Sequence, residues 1–398
     1  MRILFLNQFF HPDHSATAQI ATDLAEDLVA RGFKVSALAA RGSYLGGGEL
    51  AAFEEHRGIR IHRVRATSLG KKTLLHRACD YASFYAVAAA ELVRLPRQDV
   101  IVAMTTPPLI AAAALAARPF RGARLVYWVQ DLYPEVAVAM GALGACSPVT
   151  LAMSATSRQV LRRADRVVVL GEAMRERVVV AGALRERTEV VPNWSDSASV
   201  RPVPHAENPL RAELAGGASC LVMYSGNMGR GHDLDTLLGA ARLLRDRADV
   251  RFLFLGDGAK RPQVEAAARE LPNVAVGPYR PREQLALSLS AGDLHLASLE
   301  PGLEGLIEPS KAYGIMAAGR PALFVGPRGS EVARTLVREG CGEVFASGEP
   351  AALTAAITAL ANDPGRRAAM GARARAALVQ RYDRRVAADR FAAILGTV

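Results

Sequence analysis

The sequence predicts an α/β protein built as two Rossmann-like domains facing across a cleft. Three observations carry this. The chain has 398 residues, and domains usually run ~100–200 residues, so length favours two. Short apolar runs alternate with helical patterns, and this alternation occurs twice. Between the two blocks lies residues 192–219, PNWSDSASVRPVPHAENPLRAELAGGAS. That stretch is rich in Pro, Ser, Asn and Gly, lacks a long apolar period, and reads as a linker carrying one short helix.

The first block opens with Arg2–Leu6, an apolar run of strand length. Ile20, Leu24 and Leu28 then recur every four residues and mark one face of a helix. Gly32 follows as a C-terminal stop. Lys34–Ala39, Ile59–Val64, Asp99–Met104, Arg124–Val129 and Arg166–Leu170 are the next strands, with helical stretches between most of them. Continuous Val/Ile/Leu runs alternating with helices argue for a parallel sheet covered on both faces.

The second block restarts at Cys220–Tyr224. Leu234, Leu237, Leu238, Ala241 and Leu244 form a helix face, and Arg251–Leu255 is a strand ending in Gly256-Asp257-Gly258. Asn273–Val276, Asp293–Ala297 and Pro321–Val325 are further strands, and a basic, Ala-rich helical stretch from about Arg366 ends the chain. In open parallel sheets, ligands bind beyond the carboxyl ends of the strands, and two sheets facing each other make a cleft there.

Composition excludes several classes. Half the residues are hydrophobic and 22% are charged, which is not the signature of disorder. Cys79, Cys146, Cys220 and Cys341 are far apart and form no CxxC pair, so neither a zinc ribbon nor a disulfide framework is expected and a reduced, cytoplasmic compartment fits. MRILFLNQFF reads as a strand and not as a signal peptide. No run of 18 apolar residues exists, so no membrane-spanning helix is expected. The formal charge of +10 fits a solvated basic surface, an anionic substrate, an anionic membrane face or nucleic acid, and charge alone does not choose among them.

Five segments have chemistry to offer. In the first, Tyr224-Ser225-Gly226-Asn227-Met228-Gly229-Arg230-Gly231-His232-Asp233 leads from a strand into a helix. Glycines there let backbone N–H groups approach an anion, the helix start adds partial positive charge, and Arg230 adds a fork for phosphate. The spacing is neither GxGxxG nor a P-loop. The plain structural reading is a tight turn capped by Asp233. In the second, Gly302 to Pro321 places Glu304, Glu308, Ser310 and Lys311 at the start of a short helix that begins near Pro309 or Ser310 and stops at Gly319. Carboxylates there suit sugar hydroxyls, and Lys with free N–H groups suits phosphate. In the third, Tyr127 to Glu135, a strand runs into Gln130-Asp131, where a carboxylate orients a hydroxyl or takes its proton. The alternative is Asp131 capping the next helix. The fourth is the loop Asn7 to Thr17, whose His11 and His14 lack any evident third metal ligand. The fifth is residues 71–85, where Lys71, Lys72, Arg77, leucines and aromatics suit either an anionic membrane surface or an ordinary amphipathic helix.

Seven stretches, taken in order, resemble the GT-B-fold retaining glycosyltransferases of family 4, especially bacterial transferases of capsule, colanic-acid and O-antigen assembly. They are NQFFHPDHSATAQIATDLAEDLVARGFKV, WVQDLYPE, ADRVVVLGEAM, VVPNWSD, YSGNMGRGHDLDTLL, FLGDGAKR and GLEGLIEPSKAYGIMAAGRP. The resemblance implies domains at 1–195 and 220–378, a linker at 196–219, and a final helix at 379–398 crossing back to the first domain. It implies a UDP- or GDP-sugar donor on the second domain, with no cofactor and no metal. Gly226, Asn227, Gly229 and Arg230 match its diphosphate loop, and Glu304 to Lys311 match the stretch that holds sugar and nucleotide. Asp131 falls in its catalytic region, where many members carry His. The first domain would take a saccharide or polyprenyl-diphosphate-linked acceptor, at the cytoplasmic face of the plasma membrane.

One departure is clear. Many relatives place Glu five residues before the AAG glycine to hold the ribose, and here that position is Gly314. A nucleotide-sugar epimerase or hydrolase on the same plan is the alternative enzyme. A dehydrogenase is disfavoured by the missing GxGxxG. A basic nucleic-acid-binding protein rests on charge alone, with no recognition helix or aromatic platform behind it.

Overall fold

The computed structural model describes residues 1–13, 15–43, 48–67 and 74–398. The chain forms two compact units. The first comprises residues 1–192, 305–307 and 387–398, and the second residues 193–304 and 308–386.

The first unit is built on eight strands: β1 (Arg2–Leu6), β2 (Lys34–Ala40), β3 (Phe53–His56), β4 (Ile59–Val64), β5 (Val100–Ala103), β6 (Arg124–Trp128), β7 (Arg166–Val169) and β8 (Thr188–Val190). Their order in the sheet is β3-β4-β2-β1-β5-β6-β7-β8. The pairings are parallel except that β3 runs antiparallel to β4. Consecutive residues of β1, β5, β6 and β7 are buried, so both faces of the sheet are covered, as the unbroken apolar runs required. Strand β3, with sequence Phe-Glu-Glu-His, alternates exposed and half-buried positions. A polar four-residue edge strand carries no apolar run, which is why periodicity passes over it. Strand β8 is three residues long and escapes for the same reason.

The first helix, Ala16–Ala30, buries Ile20, Leu24 and Leu28 on one face. Gly32 takes φ +87° just beyond it, a conformation an L side chain resists, and the chain turns there into β2. The last helix, Arg384–Gly396, contributes its final residues to the first unit. Phe391 is fully buried and meets the Trp128 ring edge-on, 4.7 Å between centroids. Arg31 Nη2 pairs with Asp389 at 2.5 Å.

The second unit carries six parallel strands: β9 (Cys220–Ser225), β10 (Val250–Leu255), β11 (Val274–Gly277), β12 (Leu294–Ser298), β13 (Ala322–Val325) and β14 (Gly342–Phe345). Their order, β11-β10-β9-β12-β13-β14, is that of a dinucleotide-binding half repeated outward in both directions from the centre. The order reverses between β9 and β12, and sheets of this kind bind ligands beyond the carboxyl ends at that point. Residues 205–207 form a 3-10 turn and Arg211–Ala215 a short helix. Leu214 and Ala215 join Leu221, Met223, Leu253 and Leu255 in a small apolar cluster. Arg211 Nη1 donates to Asp293 Oδ2 at 2.7 Å. The Pro- and Ser-rich stretch is thereby tied down onto the sheet of the second unit. Among the described residues no helix is long and apolar enough to cross a membrane.

Candidate nucleotide-sugar site

Strand β9 delivers the chain to Gly226, whose φ of +138° leaves the strand sharply. A Cβ on Gly226 would stand 3.3 Å from Lys311 Cε. A Cβ on Gly256, at the end of β10, would collide with the Gly226 carbonyl oxygen. Three segments remote in sequence therefore meet here, the Gly226 and Gly256 backbones against each other and the Lys311 side chain against Gly226, and the positive φ at both glycines favours glycine there. The loop that follows is held at both ends. The Met228 amide donates to Asp257 O at 2.7 Å, the Tyr224 hydroxyl donates to Asn227 O at 2.7 Å, and the Met228 side chain is buried. Asn227 and Arg230 are exposed on this loop and Gly229 is half-buried. Asp233 Oδ1 accepts from the Thr236 amide at 2.9 Å and caps the helix Asp235–Leu243, as its position in the sequence indicated.

On the β12 side, His232 Nδ1 lies 2.6 Å from Ser298 O. A carbonyl oxygen only accepts, so Nδ1 carries the proton. Burial, with the Lys311 charge next, pushes the imidazole pKa down to about 3. His232 is therefore neutral, with its lone pair on Nε2. Lys260 Nζ donates to His232 O at 2.7 Å and to Glu300 Oε1 at 2.6 Å. The Glu300 amide donates to Gly231 O at 2.9 Å, which stitches the β9 and β12 loops together across the switch point.

Lys311 opens the seven-residue helix Lys311–Ala317. Its Nζ is buried with no hydrogen-bond partner among the described residues and sits 3.5 Å from the centroid of the Tyr224 ring. Burial holds its pKa well below the usual lysine range. Ser310 precedes the helix without a side-chain cap, and Glu304 is half-buried. Glu308 Oε1 accepts from the Glu331 amide at 3.3 Å, while Oε2 is buried without a partner. Burial raises the Glu308 carboxyl to about 8, so it carries a proton at neutral pH. A Cβ on Gly314 would meet Leu289 Cδ1 at 3.4 Å, an ordinary van der Waals contact.

In the first unit, Asp131 follows β6. Its amide donates to Thr105 Oγ1 at 3.3 Å. The helix Glu135–Ala139 has no side-chain cap, so capping does not explain Asp131. Burial raises its carboxyl to about 6. His14 and residues 71–73 lie outside the described residues. The helix Leu74–Arg94 buries Phe84, Ala88 and Leu92, so that face packs inward. The cysteines are free: Cys79 and Cys146 are exposed, Cys220 and Cys341 buried.

The structure thus gathers Gly226, Asn227, Gly229, Arg230 and Lys311 around one turn and sets Glu308 against a different helix. It adds Tyr224, His232, Lys260 and Glu300, which were not singled out from sequence. Lys260 stands just after the β10 glycines and Glu300 two residues past β12, so position after a strand end was their available signal.

Residues 15–194 match the Glycosyl transferase 4-like domain family, and residues 219–363 match the Glycosyl transferases group 1 family. The chain is 31% identical over 304 residues to the probable glycosyltransferase WbjE of Pseudomonas aeruginosa, covering 75% of each chain. It belongs to this glycosyltransferase family. A second relative is the putative colanic acid biosynthesis glycosyl transferase WcaI of Escherichia coli K12, 27% identical over 66% of this chain and 65% of WcaI. In fold, this glycosyltransferase is similar to sucrose-phosphate synthase from Thermosynechococcus elongatus, with TM-score 0.79, 17% identity and coverage of 100% and 98%. It is similar also to Anabaena HepE, crystallised with UDP and glucose, with TM-score 0.74, 18% identity and full coverage of both chains. Its two parallel-sheet α/β units match the GT-B plan.

Proposed function

We propose that this glycosyltransferase moves a sugar from a UDP- or GDP-sugar to a saccharide acceptor in bacterial cell-surface polysaccharide assembly, retaining anomeric configuration and using no metal in the transfer. The observation that carries the reading is the buried, unpartnered Nζ of Lys311 beside the Gly226 turn. A buried ammonium without a counter-charge costs stability, and a diphosphate docked on the turn supplies that counter-charge. The names and ligands of relatives support the same reading: WcaI is named for colanic acid biosynthesis and HepE binds UDP and glucose.

Each residue then has a task. Charge builds on the leaving diphosphate as the glycosidic bond breaks. Lys311, Arg230 and the amides of the Gly226–Gly229 turn stabilise that charge in place. Neutral His232 presents an acceptor at Nε2, and protonated Glu308 donates from Oε2, which suits hydroxyls of the sugar or ribose in place of the carboxylate missing at Gly314. Asp131 takes the acceptor hydroxyl proton, its raised pKa matching that work.

The acceptor is lipid-diphosphate-linked in this reading, and the enzyme works peripherally at the inner face of the plasma membrane. Supporting this, the mutually packed helices Ala111–Arg121 and Pro148–Arg163 expose Phe120, Val149 and Leu151 together with Arg158, Arg162 and Arg163. Exposed apolar side chains and arginines on one helix pair suit an anionic lipid surface.

The deciding experiment measures thermal stabilisation by UDP, GDP, ADP, NAD and a control oligonucleotide. Stabilisation by UDP or GDP alone, with sugar transfer to a lipid-linked acceptor, is expected. Stabilisation by none of the nucleotides overturns the donor assignment. A UDP-sugar consumed without an acceptor makes the protein a hydrolase or epimerase instead.

A further inference from the structure

His11 lies in the loop after β1, and sequence alone offers it no companion ligands. The tertiary structure supplies them. Glu54 and His56 are two residues apart on β3, so their side chains share one face of that strand. One donor atom from each of His11, Glu54 and His56 falls within 4.8 Å of the other two. His11 Nε2 stands 3.8 Å from Glu54 Oε1. The two imidazoles are stacked, 3.6 Å between centroids.

The outer groups are arranged around this set in a definite way. His56 Nε2 lies 3.1 Å from Glu26 Oε1. With the proton on Nε2 donated to that carboxylate, the His56 lone pair is on Nδ1. Glu26 Oε2 is held in turn by Arg57 at 3.1 Å. Glu54 repeats the pattern: Oε2 accepts from Arg63 Nη2 at 2.6 Å, and Oε1 is the oxygen turned to His11. Arg63 is itself fixed, since the same Nη2 donates to His11 O at 2.6 Å and its side chain is 1% exposed. A histidine donating its far N–H to a carboxylate, and a carboxylate whose far oxygen is held by a donor, are the outer-shell arrangements that orient metal ligands.

We propose that His11, Glu54 and His56 bind a divalent transition-metal ion of zinc's class, in a site of two histidines and one carboxylate that ties the loop after β1 to the edge strand β3. Two imidazoles with one carboxylate suit zinc and its first-row neighbours, leaving a further position for water. Zinc-to-ligand distances are ~2.0–2.2 Å, so binding draws the three donors together and turns the stacked rings apart. The site belongs wholly to the first unit, whereas the Gly226 turn and Lys311 belong to the second. It is structural in kind and adds no metal to the proposed transfer.

The test uses the full-length, chelator-treated protein with Co²⁺ as a spectroscopic probe and Zn²⁺ by calorimetry. One equivalent of Co²⁺ with visible d–d absorption, displaced by one equivalent of Zn²⁺, is expected, together with a rise in melting temperature. His56→Ala and Glu54→Gln should each lose the absorption and the thermal shift while keeping the wild-type circular dichroism. Glu26→Gln, which leaves the ligands in place, should weaken binding about tenfold. No absorption and no heat with the wild-type protein overturns the proposal. So does binding that is the same in the His11→Ala, His56→Ala double variant, because the ion then sits elsewhere.

Discussion

The Lys311 ammonium lies 3.5 Å from the centre of the Tyr224 ring, and among the described residues that ring face is the nearest thing to a counter-charge it has. Cation–π attraction to a Tyr ring is worth ~1–2 kcal/mol at such sites, less than full desolvation of an ammonium demands. Lys311 thus sits in the free protein at a cost that an anionic ligand would offset.

Lys311→Met keeps the length of the side chain and removes the ammonium. The free protein should gain about 1 kcal/mol, ~2–4 °C in melting temperature for a unit of this size. UDP or GDP affinity should fall at least about tenfold, the scale of one hydrogen bond to a charged group. The sign with pH is also fixed. A lysine whose folded pKa is depressed binds its proton more readily when unfolded, so wild-type stability rises with pH across the window between the folded and ordinary values. The variant should lack that rise. A melting temperature and affinity both unchanged would remove Lys311 from the site.

Asp131, with its carboxyl raised to about 6, should give kcat/KM an acidic limb that falls as pH drops through about 6, because the base is then protonated. Asp131→Asn should lower turnover ~10²–10⁴-fold, the usual worth of a general base, and abolish the limb. A limb of unchanged position in the variant would assign it to another group.

Phe391→Ala should destabilise the first unit by about 3–5 kcal/mol, the usual cost of emptying a buried phenylalanine site. Phe391 is fully buried against Trp128, so no polar rearrangement refills the space. Calorimetry that resolves the two units should show only one transition moving. A shift of both, or of neither, would contradict the assignment of residues 387–398 to the first unit.

The sequence by itself determined the two α/β blocks and most of their elements. Ile20, Leu24 and Leu28 are buried on one helix face as their spacing required, and the central strands are apolar runs because both faces of each sheet are covered. The Gly226–Asp233 turn was legible too, since a strand end, glycines and a capping Asp are local features. What only the tertiary structure decided are properties of groups brought together from afar. The Lys311 ammonium is buried against the Tyr224 ring and the Gly226 turn at the end of β9, about 85 residues earlier in the chain. Glu308 is protonated because burial removes its water, and its backbone partners, Glu331 and Val332, belong to another helix. The His232 tautomer follows from Ser298, and the companions of His11 come from a strand too short and polar to show a period. Desolvation and proton position depend on which remote segments meet, and residue order along the chain does not carry that information.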